Sequence, residues 1–184
     1  MQKIYVTEKE FKEIRSKGGA YVDKTKYIYD VFKDDKYFFL ARPRRFGKSL
    51  LCATLAELFA GNRHLFKGLW IDGSDWEWKK HPVIRLDMSK AASPVATPEE
   101  VRGYMVDLLN SSAKNLGLPA NALRQGTPMA MLSDLIAQAK EAFGEQVVVI
   151  IDEYDKPLLD VIHDRSRYTA IQQELSAFYS QLKP

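Results

Sequence analysis

Arg42-Pro43-Arg44-Arg45-Phe46-Gly47-Lys48-Ser49 is the stretch on which the reading of this 184-residue chain turns. Just before it, Tyr37-Phe38-Phe39-Leu40-Ala41 is a short, aromatic-rich apolar run bounded by turn formers, the pattern of a core strand buried on both faces. Just after it, Leu51, Leu55, Leu58 and Phe59 recur at i, i+4, i+7 and i+8, which predicts a helix over Ser49 to Ala60 stopped by Gly61. The order is therefore strand, basic turn, helix. The first backbone N–H groups of a helix have no intrahelical partner and sit at its positive dipole end. Gly47 has no Cβ, so the chain can turn those groups toward an anion.

The segment resembles the P-loop pattern G-x-x-x-x-G-K-[ST], with Arg42 where the first glycine usually stands. On this reading the backbone of Arg45, Phe46, Gly47, Lys48, Ser49 and Leu50 cradles nucleotide phosphates. Lys48 sets a point charge on the β- and γ-phosphates, and the Ser49 hydroxyl ligates Mg²⁺. A Gly-Lys-Ser tripeptide alone is weak evidence; its meaning comes from the strand before and the helix after. The plain alternative is a basic turn that caps a helix.

A second element supports the first. Val147-Val148-Val149-Ile150-Ile151, β-branched throughout, predicts a buried strand, and Asp152-Glu153 stands at its end. This resembles a Walker B motif, in which the strand-terminal carboxylate, Asp152, supports Mg²⁺. The next carboxylate, Glu153, can orient and polarise a water for attack on the γ-phosphate. Taken singly, a strand ending in acids usually means a solvated strand end.

Outward from these motifs, Thr7 with Glu10 forms a capping box that opens a helix ending at Gly18-Gly19. Tyr27, Ile28, Val31 and Phe32 mark one face of a second helix, from Lys24 to about Lys33. Asn62 to His81 holds all three tryptophans and reads as an irregular connection pinned by aromatic packing. Val83 to Met88 is a further strand. Thr97-Pro98-Glu99-Glu100 opens a helix to about Leu116, Thr127-Pro128 another to about Phe143, and Leu158 to Ile162 and Arg165 to Leu182 are helical. Strands separated by helices imply an α/β fold with a mostly parallel sheet and helices on both sides, in a single domain.

Composition narrows the class. At 46% hydrophobic and 28% charged, the chain is neither disordered, collagen-like nor a coiled coil. Its longest relevant aliphatic run, Val147 to Ile151, falls far short of the about 20 residues a membrane helix needs. The N-terminus carries acids early and has no signal-like apolar stretch, so a cytoplasmic location without membrane contact is expected. Cys52 has no partner for an internal disulfide, and His64, His81 and His163 lack ligand-like spacing. The net charge is only +3, from 27 basic and 24 acidic residues, and Arg42, Arg44, Arg45 and Lys48 account for all of the excess.

With Tyr21-Val22-Asp23-Lys24-Thr25, Leu65-Phe66-Lys67-Gly68-Leu69, Pro82-Val83-Ile84-Arg85-Leu86-Asp87 and Ile151-Asp152-Glu153-Tyr154-Asp155-Lys156-Pro157-Leu158, the loop is similar to the bacterial AAA-ATPase-like family over nearly the whole chain. That resemblance implies a P-loop NTPase of three-layer fold that binds ATP and Mg²⁺, with Lys48 and Glu153 catalytic. It also makes Arg-Pro-Arg-Arg-Phe-Gly-Lys-Ser the usual form of the loop. Asp23 would lie near the base or ribose; capping the next helix is the plain alternative. Arg44 and Arg45 would face the γ-phosphate or a neighbouring subunit, or would simply be solvated or paired to acids. Members often continue into a nuclease-like domain of the PD-(D/E)xK type, for which this sequence supplies no site.

The resemblance also implies a sensor strand following Walker B in sequence, whereas residues after Glu153 read as helical. The expectation is therefore an N-terminal portion of one ATPase domain, residues 1–184, with an incomplete sheet prone to self-association. Two other functions share the loop. In a nucleotide-regulated DNA-associated module the arginines would meet phosphate backbones. A small-molecule kinase is disfavoured by the adjacent Asp152-Glu153 pair.

Overall fold

In the computed structural model, residues 3–4, 8–33, 37–41, 46–91, 93, 96–119, 123 and 125–182 are described. They divide into two units, Met1–His81 and Pro82–Pro184.

In the first unit, α1 (Phe11–Ser16), α2 (Thr25–Phe32) and α3 (Lys48–Phe59) are followed by 3₁₀ turns at Arg63–Phe66 and Trp70–Gly73. Helix α1 packs on α3. Phe11, Leu58, Phe66 and Ile71 are completely buried, and the Phe11 ring lies 4.8 Å from that of Phe66 and 4.9 Å from that of Tyr21. Each such side chain contributes about 2 kcal/mol by leaving water. The Arg15 guanidinium donates to the carbonyls of Leu65 and Lys67, both at 2.7 Å, and so fastens α1 to the first 3₁₀ turn. The tryptophan segment is irregular and aromatic-packed, as its composition predicts: Trp70 meets Tyr29 at 5.3 Å, Trp76 meets Phe59 at 5.7 Å and Trp78 meets Phe66 at 5.3 Å.

Two expectations change here. Thr7 lies outside the described residues, and α1 opens later, at Phe11, after Glu10, which makes no side-chain cap. Tyr37 to Ala41 is not a buried strand. It has no ladder partner among the described residues, and Tyr37, Phe38 and Phe39 are 61%, 46% and 65% exposed. A strand is defined by its neighbour, and the described part of this unit contains no other strand; Phe38 instead packs edge-on to Phe32 of α2, at 5.8 Å.

The second unit runs β1 (Val83–Asp87), α4 (Pro98–Asn115), α5 (Pro128–Phe143), β2 (Val148–Asp152), α6 (Lys156–Asp160) and α7 (Arg165–Tyr179). Among the described residues the sheet is the parallel pair β1–β2, in register from Val83 opposite Val148 to Asp87 opposite Asp152. Parallel neighbours need a crossover, and α4 and α5 supply it. The Thr97–Glu100 capping box forms in both directions: the Glu100 N–H donates to Thr97 Oγ1 at 3.2 Å, and the Thr97 N–H to Glu100 Oε2 at 2.8 Å. Thr127 Oγ1 caps α5 by accepting from the Ala130 N–H, and Gly144 ends that helix at φ 67°. Ile84 and Leu86 of β1 are completely buried with Leu109 of α4 and Leu132 and Leu135 of α5. The chain is thus mixed α/β with a small parallel sheet. No helix among the described residues is long and apolar enough to cross a membrane.

Candidate functional site

One candidate region, in the first unit, is the start of α3. Gly47 is its N-cap, with φ 75° and ψ 23°, and Lys48, Ser49 and Leu50 are its first three helical residues, each half-buried. The first helical bond runs from the Leu51 N–H to the Gly47 carbonyl at 2.9 Å, so the N–H groups up to Leu50 are the donors a helix leaves without intrahelical partners. A Cβ added to Gly47 would meet nothing within 4 Å. The glycine is therefore required by its left-handed backbone and not by crowding. Phe46 is 59% exposed beside this turn. Arg45, with Arg42, Pro43 and Arg44, lies outside the described residues.

Asp23, in the same unit, has its carboxylate engaged. Oδ1 accepts from the Thr25 N–H at 2.8 Å and the Thr25 hydroxyl at 2.7 Å, and Oδ2 accepts from the Trp70 N–H at 2.7 Å. Thr25 Oγ1, completely buried, in turn accepts from the Ile71 N–H at 3.1 Å. Burial alone would raise the Asp23 carboxyl; these hydrogen bonds outweigh it and hold the group below the usual carboxylate range. Two residues earlier, the Tyr21 hydroxyl lies 3.3 Å from Thr54 Oγ1 of α3. Tyr21 and Asp23 thus tie α3, α2 and the Trp70 turn together.

Another candidate region, in the second unit, is the carboxyl end of the sheet. Asp152, the last residue of β2, is 6% exposed, and its Oδ1 accepts from the N–H of Glu153 at 3.0 Å. Glu153 has φ 53°, the positive value found at no other non-glycine residue among those described. Its carbonyl accepts from the Lys156 N–H at 3.0 Å, closing a turn over Tyr154 and Asp155. The Tyr179 hydroxyl, from the end of α7, donates to the Tyr154 carbonyl at 2.9 Å. Burial, with Asp155 and Tyr154 close by, pushes this phenol well above its usual range, so it keeps its proton. At the neighbouring strand end, Asp87 Oδ1 accepts from the Ser89 N–H at 2.9 Å, and the Tyr104 hydroxyl of α4 donates to the Asp87 carbonyl at 2.9 Å. Sequence reasoning missed Tyr179. The reach of its phenol to the Tyr154 carbonyl depends on tertiary placement and leaves no local motif.

Gly47, Lys48, Ser49 and Leu50 come together at one helix start, and Asp152 and Glu153 at one strand end; each set belongs to its own unit. Among the described residues no group of three or more His, Cys, Asp or Glu side chains gathers to hold a metal. Mg²⁺ does not require such a cage, because it keeps several waters and takes one or two protein ligands beside substrate phosphates. The Ser49 hydroxyl in the first unit and the Asp152 carboxylate in the second are each a ligand of the type Mg²⁺ takes.

Comparison with known proteins gives a single direction. The family model described as "Predicted AAA-ATPase" matches residues 6–184. An uncharacterized protein in the vnfD 5′ region of Azotobacter chroococcum mcd 1 is 39% identical over 184 residues, covering 99% of this chain and 34% of that protein. The chain thus spans about a third of the length of that relative. No solved structure matches.

Proposed function

The chain belongs to the AAA-ATPase-like family, and on that premise we propose that it is a Mg²⁺-dependent ATP-binding module that hydrolyses ATP in the intact protein. The observation that carries this reading is the left-handed Gly47 at the N-cap of α3, followed at once by Lys48 and Ser49. The family supports nucleotide use at the coarser level, and the helix start offers the donors and the charge that phosphates need.

In the proposed mechanism the backbone from Arg45 to Leu50 orients the phosphates, and the Lys48 ammonium neutralises charge on the β- and γ-phosphate oxygens. Ser49 and Asp152 would hold Mg²⁺, which when bound would withdraw charge from phosphoryl oxygens. Glu153 orients the attacking water and takes its proton. The three-layer P-loop fold belongs to the same proposal, supported by the parallel β1–β2 pair and its helical crossover. Asp23 as a base or ribose contact is a weaker part of it, since both carboxylate oxygens already accept hydrogen bonds within the unit. The DNA-associated alternative rests on Arg42, Arg44 and Arg45, all outside the described residues, and gains no support here.

Calorimetric titration of the intact protein with Mg-ATP tests the reading. Lys48→Ala is expected to weaken binding by tenfold or more, the order expected when a charge-assisted contact worth about 1.5–3 kcal/mol is removed. Equal affinity in the wild type and this variant sinks the proposal.

A further inference from the structure

Among the side chains that hold the turn carrying Glu153 is one from the far end of the unit's last long helix. The Glu153 carbonyl accepts from the Lys156 N–H, so Glu153 to Lys156 form a four-residue turn with Tyr154 and Asp155 at its centre. Asp155 has φ −97° and ψ −8°, the values of the third residue of a type I turn. Types I and II differ chiefly by a flip of the middle peptide, and that flip would drive Asp155 to positive φ. The middle peptide here is the one whose carbonyl belongs to Tyr154, and that carbonyl receives the Tyr179 hydroxyl at 2.9 Å. A flip would turn the carbonyl away and break this bond.

We propose that Tyr179 is a positioning residue for Glu153: its hydroxyl locks the middle peptide of the Glu153–Lys156 turn and thereby fixes the direction in which the Glu153 carboxylate is presented. This inference rests on the reading of Glu153 as the group that acts on the attacking water. It concerns a residue 26 positions further along the chain than Glu153. The Asp152 Oδ1 bond to the Glu153 N–H holds the turn on its strand side, and Tyr179 holds it on its helix side. A left-handed non-glycine residue keeps its conformation only where its surroundings over-determine it. These bonds are such surroundings.

Tyr104 supplies the control. Its hydroxyl makes the same kind of bond, at the same 2.9 Å, to the carbonyl of Asp87 at the end of the partner strand. Tyr179→Phe and Tyr104→Phe therefore remove equivalent phenol-to-carbonyl bonds from the two strand ends, and only one of those ends carries Glu153. Wild type, Glu153→Gln, Tyr179→Phe and Tyr104→Phe are compared in the intact protein for Mg-ATP affinity, kcat and KM, and for hydrogen exchange at the Lys156 amide without nucleotide. The expected result is that Tyr179→Phe lowers kcat by roughly three- to tenfold, the range of one net hydrogen bond, with affinity and KM unchanged. Lys156 exchange should speed up by a similar factor, and Tyr104→Phe should leave both readings at wild-type values. Equal effects of the two phenylalanine variants, unchanged kcat in Tyr179→Phe, or unchanged Lys156 exchange overturns the inference even if Glu153→Gln abolishes turnover. No turnover in the wild type, or full turnover in Glu153→Gln, removes the underlying reading and this role with it. If Tyr179→Phe folds poorly, the exchange comparison at reduced temperature still decides.

Discussion

Glu153 occupies a backbone region that costs a side-chain-bearing residue about 1 kcal/mol, and its φ of 53° is set by the strand ending before it and the turn closing after it. A glycine there carries no such penalty. Glu153→Gly is therefore expected to raise the thermal midpoint by about 2–4 °C, the shift of about 1 kcal/mol in a chain of this size, while removing the carboxylate to which the proposed hydrolysis assigns the attacking water. Differential scanning calorimetry measures the first effect and phosphate release the second. A lowered midpoint shows that the backbone at Glu153 is not strained. Glycine stands at Gly47, where the sequence motif calls for it; glutamate stands at Glu153, where conformation alone favours glycine.

At the scale of elements, legibility followed locality. Thr97-Pro98-Glu99-Glu100 encodes its own helix start, because every bond of the capping box lies within four residues, and α4 begins where the sequence places it. Val148 to Asp152 was legible for the same reason, as a continuous β-branched run. Tyr37 to Ala41 was not: a five-residue apolar run states a preference for a strand, and whether another strand pairs with it, as none does among the described residues, is a matter of the rest of the unit. The candidate residues divide similarly, with Gly47, Lys48, Asp152 and Glu153 visible in motifs and Tyr179 invisible until α7 is in place. The clasp between α2 and the Trp70–Gly73 turn is another nonlocal feature. Because hydrogen bonds hold the Asp23 carboxyl below its usual range, the stability it contributes is present above the unfolded carboxylate pKa of about 3.9 and is lost as pH falls through the depressed folded value. Asp23→Asn is expected to cost about 1 kcal/mol at pH 7 and to flatten the fall in thermal midpoint on acidification below about pH 4. Identical pH slopes in wild type and variant count against the clasp.

The chain divides into two units, with Phe11, Leu58 and Phe66 completely buried in the first and Ile84, Leu109 and Leu132 in the second. Truncating Leu132, completely buried, to alanine is expected to cost about 2–5 kcal/mol and to speed hydrogen exchange throughout Pro82–Pro184 far more than in Met1–His81. Uniform acceleration across both units counts against their separate stability. The distribution of tryptophan supplies a means of watching this. Trp70, Trp76 and Trp78, all three indoles of the chain, lie in the first unit, in ring contact with Tyr29, Phe59 and Phe66. Emission excited at the indole band is therefore an optical label that nature has attached to one unit alone, while the far-ultraviolet signal, dominated by α4, α5 and α7, weights the other. A melt followed in both channels at once resolves the two halves of the molecule without a probe being added.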